Sequence, residues 1–349
     1  MISALIAEDS PTTAELLCRM LESDPEIRVV GTAPNGERAV AMTRELRPNV
    51  VVMDVHMPLL NGFEATQRIM TEVPTPIVIV SSTINVHETA VSMRALELGA
   101  LALLEKPVAP NHPEFDDMCR RFVATVRALS GVKVVRRWTT TASGVSRRPS
   151  ARPAAPIAEI VAVAASTGGP AALYRLLSSV PPDFDAPILI VQHMSPGFVE
   201  GFAEWLNGGT RLSVCVARNK ARLEPGRVYV APDDCQLGLS DATTIDVSGT
   251  LPIDGFRPSG THLFRSVGAA YGKKALGIIL TGMGRDGVEG LRALREAGGR
   301  VVAQDEASSI VFGMPGVTVA EGIAHDVLPL EVIGPRLGEW VVSRKRSSP

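Results

Sequence analysis

Two successive alternations of short apolar runs and amphipathic stretches make up the chain, with a segment that carries neither pattern between them. In the first, strand-length apolar runs stand at 4–7, 27–31, 50–53, 77–80 and 101–104. After Ser10-Pro11, Leu16, Leu17, Met20 and Leu21 recur at helical spacing, and 36–46, 62–70 and 88–98 are helix-like too. Apolar runs joined by helices predict a parallel, doubly wound sheet buried on both faces. The second alternation starts at Glu159. Its strand-like runs lie at 160–164, 188–191, 212–216, 228–231, 275–280 and 300–303, with a strand-and-turn stretch over 235–249. Helices are predicted at 171–177, 198–206, 262–271 and 291–295, giving a second α/β domain.

The intervening segment sets the boundaries. From Met118 to Ala158 there is no Asp or Glu, whereas Arg120, Arg121, Arg127, Lys133, Arg136, Arg137, Arg147, Arg148 and Arg152 are basic. Residues up to about 130 finish the last helix of the first domain, and 139–156 are rich in Ser, Thr, Ala and Pro. The expected organisation is a first domain at 1–129, a basic linker at 130–157 and a second domain at 158–349. The linker reads as a solvated tether or as a basic dock for an acidic partner. Nucleic-acid binding is the weaker version, since aromatic interleaving is limited to Trp138.

Composition adds little beyond exclusions. The 349 residues are 45% hydrophobic and 21% charged with a net charge of −2, so no global charge draws the protein to nucleic acid or membrane. Cys18, Cys119, Cys215 and Cys235 are scattered, which predicts reduced thiols and no zinc site. The N-terminus reaches Glu8 without a basic flank, so no signal peptide is expected. No apolar run of about 18 residues suits a membrane span. A cytoplasmic location is the expectation.

In the first domain the polar residues gather at predicted strand ends: Glu8-Asp9, Asp54, Ser81-Ser82 and Lys106-Pro107. Carboxyl ends of parallel strands converge on one edge. Three carboxylates there offer the hard oxygen ligands that suit Mg2+, and a lysine beside them pairs a carboxylate or a phosphoryl oxygen. Together with Met57-Pro58 and Gly62, these residues resemble the receiver domain of two-component response regulators. The resemblance implies a flavodoxin-like fold with a five-stranded parallel sheet, and Asp54 as acceptor of a phosphoryl group from a histidine kinase. It further implies Mg2+ held by Glu8, Asp9, Asp54 and the backbone carbonyl of His56. Ser81 (or Ser82, if the register slips) and Lys106 would bind phosphoryl oxygens. Leu103 stands where receivers often carry an aromatic residue, so signalling through a swinging ring is not expected.

In the second domain Ser166, His193 and Asp286 each fall a few residues past a predicted strand. A serine hydroxyl needs a base, histidine supplies one, and an acid behind the ring fixes its tautomer. Ser166 sits between Ala164 and Gly168, nearly the G-x-S-x-G elbow. The loop Thr281-Gly282-Met283-Gly284-Arg285-Asp286-Gly287 also fits G-x-G-x-x-G, with Asp305 lying 18 residues after Gly287, so a dinucleotide site competes for it. That reading leaves Ser166, Gln192 and His193 unused, and it puts a carboxylate where a pyrophosphate would lie.

Ala165-Ser166-Thr167-Gly168-Gly169-Pro170, Gln192-His193-Met194, the 281–287 loop and Gly313-Met314-Pro315 resemble the catalytic domain of the protein-glutamate methylesterases of bacterial chemotaxis. The resemblance implies a Rossmann-like domain that hydrolyses glutamyl 5-O-methyl esters, and deamidates certain glutamines, on the cytoplasmic part of methylated chemoreceptors. Ser166 would be nucleophile, His193 general base and acid, and Asp286 its orienter. The N–H of Met283 would be an oxyanion donor, with Thr167 and Gln192 lining the site. No cofactor is expected for the hydrolytic step. Three positions depart from the family pattern: His56 replaces a common Glu, Thr261 a common acid and His262 an apolar residue. A non-catalytic, phosphorylation-controlled docking module is the competing function.

Overall fold

The computed structural model of the chain describes residues 1–81, 86–107, 110–113, 115–132, 134 and 158–341. It divides into two compact units, Met1–Arg148 and Pro149–Pro349. Ser82 and all of the expected linker except residues 130–132 and 134 lie outside the described residues.

The first unit runs β1 (Ile2–Ala7), α1 (Pro11–Glu22), β2 (Ile27–Ala33), α2 (Gly36–Leu46), β3 (Val50–Asp54), α3 (Gly62–Glu72), β4 (Ile77–Ser81), α4 (Val86–Glu97), β5 (Ala102–Glu105) and α5 (Phe115–Ser130). The strands pair in parallel in the order β2-β1-β3-β4-β5, a flavodoxin-like sheet. Every residue of β3 and β4 is buried, which is why these strands read as unbroken apolar runs. Helix starts are fixed locally. The Ser10 hydroxyl accepts the Thr13 N–H at the head of α1, and Asn61 with Glu64 forms a reciprocal capping box on α3.

The second unit continues with β6 (Ile160–Ala165), α6 (Gly169–Ser178), β7 (Ile188–Gln192), α7 (Val199–Gly209), β8 (Ser213–Val216), β9 (Arg227–Val230), β10 (Gln236–Asp241), β11 (Thr244–Ser248) and α8 (Gly260–Tyr271). It ends with β12 (Ala275–Ile279), α9 (Val288–Glu296), β13 (Arg300–Gln304), α10 (Met314–Ala320), β14 (Asp326–Leu328) and α11 (Leu330–Trp340). Seven strands form a parallel sheet in the order β14-β13-β12-β6-β7-β9-β8, while β10 and β11 pair separately as a hairpin. From β6 the chain first builds outward through β7, and later returns to build the other flank from β12. The winding therefore reverses at β6, and a crevice opens beyond its carboxyl end.

Ile160, Ala162, Ala164, Leu189, Val191, Phe264, Val267, Ile279, Leu291 and Leu294 join one buried cluster, holding the three central strands against α8 and α9. Each large side chain removed from water there contributes about 1.5–3 kcal/mol before entropy is counted. Ala158 donates its N–H to the Trp340 carbonyl at 2.9 Å and bridges Val341, so the described ends of this unit lie side by side.

Apolar periodicity predicts no element beyond Gln304, yet α10, β14 and α11 are present. β14 has only three residues, none fully buried, and α11 contains Pro335, so neither gives a clean period. No described helix is long and apolar enough to cross a membrane. The four cysteines are free.

Candidate functional site

The carboxyl edge of the first sheet gathers the expected polar residues. Glu8 and Asp9 follow β1, Asp54 ends β3, Ser81 ends β4 and Lys106 follows β5. Lys106 Nζ lies 2.8 Å from Asp54 Oδ2 and 2.9 Å from Glu8 Oε2. Glu8, Asp9 and Asp54 each bring a carboxylate oxygen within 4.8 Å of the others. Asp54 Oδ1 is buried without a hydrogen-bond partner. An oxygen-only donor set with an orphaned buried oxygen fits a hard divalent cation such as Mg2+. Burial pushes the Glu8 carboxyl above its ordinary pKa, with the Lys106 bond offsetting part of the effect. Burial also works against the charge on Lys106, but its bonds to Asp54 and Glu8 prevail and hold its pKa above the ordinary value. Ser81 Oγ is 3.0 Å from Ser92 Oγ. The His56 side chain is exposed just past β3, and Leu103 is half-buried on β5.

At the second unit's crevice, Ser166 follows β6, His193 follows β7 and Asp286 lies in the loop between β12 and α9. β6 and β7 pair with Ala165 opposite Gln192, so the next positions along both strands are Ser166 and His193. The His193 N–H donates to the Ala165 carbonyl at 3.0 Å. The Gln192 amide nitrogen donates to the Ser166 carbonyl at 2.9 Å and to the His193 carbonyl at 2.8 Å, tying the two turns together. Gln192 thus spends its donors on backbone. Thr167 is half-buried beside Ser166, and its carbonyl accepts the Thr281 hydroxyl at 2.9 Å.

His193 Nε2 donates to Asp286 Oδ2 at 2.9 Å, an assignment fixed by the acceptor-only carboxylate. His193 Nδ1 is buried with no hydrogen-bond partner. Asp286, 1% exposed, also accepts from the Ser259 hydroxyl at 2.7 Å, the Gly260 N–H at 2.6 Å and the Thr261 N–H at 3.2 Å. Burial alone would raise its pKa. The bonds from His193, Ser259 and Gly260 prevail and hold it below the ordinary aspartate value.

The glycines of the 281–287 loop serve this site. A Cβ on Gly282 would sit 2.7 Å from Ser166 Cβ and 2.5 Å from Met314 Sδ, so only glycine lets the two loops meet. The Met283 N–H, directly after Gly282 in this loop, makes no hydrogen bond to the described residues. The Asp305 carboxylate accepts the Ser308 N–H and hydroxyl, closing a local turn. With Asp286 saturated by donors and Gly282 packed on Ser166, the loop is built around a carboxylate and leaves no cradle for a pyrophosphate.

His262 opens α8, and burial lowers its pKa. Its Nε2 lies against Gly238 of β10. Thr261 Oγ1 accepts the Gly287 N–H at 2.9 Å, so a neutral hydroxyl holds the end of the loop beside Asp286. Two supports escape sequence reasoning. Phe256 stacks on His193 with ring centroids 4.3 Å apart at 13°, and Gln236, fully buried, bonds to the segment that carries it. Ser259 reads in sequence only as the N-cap of α8, and no local signal marks the other two.

Comparison with known proteins bears on the two units separately and on the chain as a whole. A family model for the response regulator receiver domain matches residues 4–113, and one for the CheB methylesterase matches 161–337. The protein-glutamate methylesterase/protein-glutamine glutaminase 3 of Anaeromyxobacter dehalogenans is 53% identical, covering 98% of this chain and 99% of that relative. Enzyme 4 of the same name from Myxococcus xanthus is 51% identical over 95% of both chains. The crystal structure of the Thermotoga maritima CheB methylesterase catalytic domain, 37% identical, superposes with a TM-score of 0.52 over 53% of this chain and 99% of that one. A receiver edge in one unit, a Ser/His/Asp crevice in the other and relatives alike over nearly the whole length converge on one assignment: the chain belongs to the CheB family of methylesterases with an N-terminal response regulator receiver domain.

Proposed function

We propose that this chain is a phosphorylation-controlled serine hydrolase that removes methyl groups from glutamate 5-O-methyl esters, and deamidates particular glutamines, on chemoreceptors. The observation that carries the chemistry is the His193–Asp286 bond of 2.9 Å beside the Ser166 turn. Ser166 Oγ attacks the side-chain carbonyl of the modified residue, and its proton passes to His193 Nδ1. Asp286 steadies the imidazolium through Nε2–H. The Met283 N–H receives the oxyanion of the tetrahedral intermediate. The leaving group takes the proton from His193 and departs as methanol, or as ammonia from an amide. Water, deprotonated by His193, then cleaves the glutamyl ester on Ser166 and restores the enzyme.

On the receiver, Asp54 accepts a phosphoryl group from a chemotaxis histidine kinase, while Ser81 and Lys106 contact its oxygens. Glu8, Asp9, Asp54 and the carbonyl of His56 would hold Mg2+. When bound, that ion neutralises charge on the transferring group.

The test is methanol release from methylated receptor membranes, with and without a small-molecule phosphodonor and Mg2+. Release that rises with the phosphodonor and vanishes in Ser166→Ala is expected. Release that persists in that variant removes Ser166 as nucleophile, and release by wild type indifferent to the phosphodonor removes control by the receiver. The docking-module alternative requires output to survive in Ser166→Ala.

A further inference from the structure

Gln236 opens β10 and is fully buried. Its Oε1 accepts the Ser259 N–H at 2.8 Å. Its amide nitrogen donates to the Phe256 carbonyl at 3.2 Å and the Leu251 carbonyl at 3.4 Å. One side chain thus grips the 251–259 segment at three places, though Leu251 is 84% exposed. That segment carries both supports of the catalytic pair: the Phe256 ring on the face of His193, and the Ser259 hydroxyl on Asp286 Oδ1.

We propose that Gln236 is a positioning residue of the hydrolase, acting through Phe256 and Ser259 to hold the His193–Asp286 pair in its working orientation. The inference rests on the reading that Ser166, His193 and Asp286 carry the reaction. Gln236 hydrogen-bonds to none of them; its bonds run to the backbone of Leu251 and of the two supports themselves. A buried amide that satisfies both its donor and acceptor ends rigidifies what it binds. Stacking removes the tilting freedom of the His193 ring, and the Ser259 bond joins those of the Gly260 and Thr261 N–H groups in fixing the Asp286 carboxylate. Among the described residues, Asp286 is the ionisable group bonded to the His193 ring.

The two supports act on imidazolium in opposite senses. The negative face of the Phe256 ring favours the cation. A donor on Asp286 spreads that carboxylate's charge and so disfavours it. In Phe256→Leu the acidic limb of the kcat/KM profile should move to lower pH, and in Ser259→Ala to higher pH, each by about half a pH unit. Gln236→Met, close in volume but unable to make these bonds, should lower kcat by about 10- to 100-fold with KM kept.

The experiment measures the methanol-release pH profile of the full chain and these variants, together with 15N spectra of histidine-labelled protein. The spectra read the His193 tautomer without turnover. Expected is one Nε2–H tautomer in the parent and a mixture in Gln236→Met. The cost of Gln236→Met should also shrink to under about 3-fold in a Phe256→Leu/Ser259→Ala background, because the three act as one unit. A single tautomer and parental kcat in folded Gln236→Met would overturn the proposal. So would limbs that fail to move in opposite directions in Phe256→Leu and Ser259→Ala, a result available even where Gln236→Met does not fold. Turnover surviving in Ser166→Ala would instead sink the reading of the triad, while the spectra would still report on Gln236.

Discussion

The two nitrogens of His193 have unlike surroundings, and the reaction depends on the difference. Nε2–H is committed to Asp286, and Nδ1 is left buried and unpartnered as the basic nitrogen. Replacing Asp286 by Asn removes the preference for this tautomer, so Asp286→Asn should lower kcat by about 10³–10⁴-fold with KM little changed, as read in a steady-state assay. The same carboxylate bears on stability. Its folded pKa is below the 3.8 of a free aspartate. The stability it contributes is therefore full above 3.8 and is lost as pH falls through the folded value. Urea midpoints of wild type and Asp286→Asn should accordingly differ most near neutrality and draw together as pH falls below 3.8; a gap that stayed constant would contradict this. Ser166, His193 and Asp286 were legible in sequence because nucleophile, base and acid each follow an apolar run. Phe256 and Gln236 were not, since their role exists only once the 251–259 segment has its shape.

At the level of elements, the Ser166 turn is defined by what packs on it. The Gly282 backbone fills the space a side chain would need, and Gln192 bonds the β6 and β7 turns together. Gly282→Ala places a methyl 3.1 Å from the Ser166 nitrogen and closer still to Ser166 Cβ. The turn must shift, and such overpacking costs about 1–3 kcal/mol of stability. A displacement near 1 Å at the nucleophile costs about 100-fold in rate. Activity should therefore fall far more than the thermal midpoint does, a contrast that calorimetry and kinetics on one preparation can read. The strands were legible because parallel strands buried on both faces have uninterrupted apolar runs, and the start of α1 because Ser10 and Pro11 mark it. The tail beyond Gln304 was not, because a three-residue strand and a proline-bearing helix carry too short a pattern.

Across the whole molecule, each of the two units has its own parallel sheet and buried core. This organisation predicts that the receiver controls a hydrolase able to fold without it. A chain starting near Pro156 should release methanol faster than the unphosphorylated full chain and ignore a phosphodonor; equal or lower activity would remove inhibition by the receiver. Asp54→Asn in the full chain should likewise fail to respond to the phosphodonor. The division was legible from the acid-free basic stretch between the two apolar alternations. How the units communicate was not, because the residues joining them carry no apolar pattern from which a docked arrangement can be read.

The pairing of Ala158 with Trp340 and Val341 has a topological consequence. A unit whose ends already touch has no preferred beginning, so its chain can be cut elsewhere and resealed without disturbing the core. The exposed Pro182-Asp183 turn precedes β7, at the opposite edge of the sheet from Ser166. A circular permutant that opens there and bridges Val341 to Ala158 with a short flexible peptide should keep its hydrolytic rate. The old N-terminus would then be an internal junction. If evolution has used that freedom, a receiver before Ala158 is an attachment at a neutral seam, and a regulator grafted after Val341 would enter the fold at the same place.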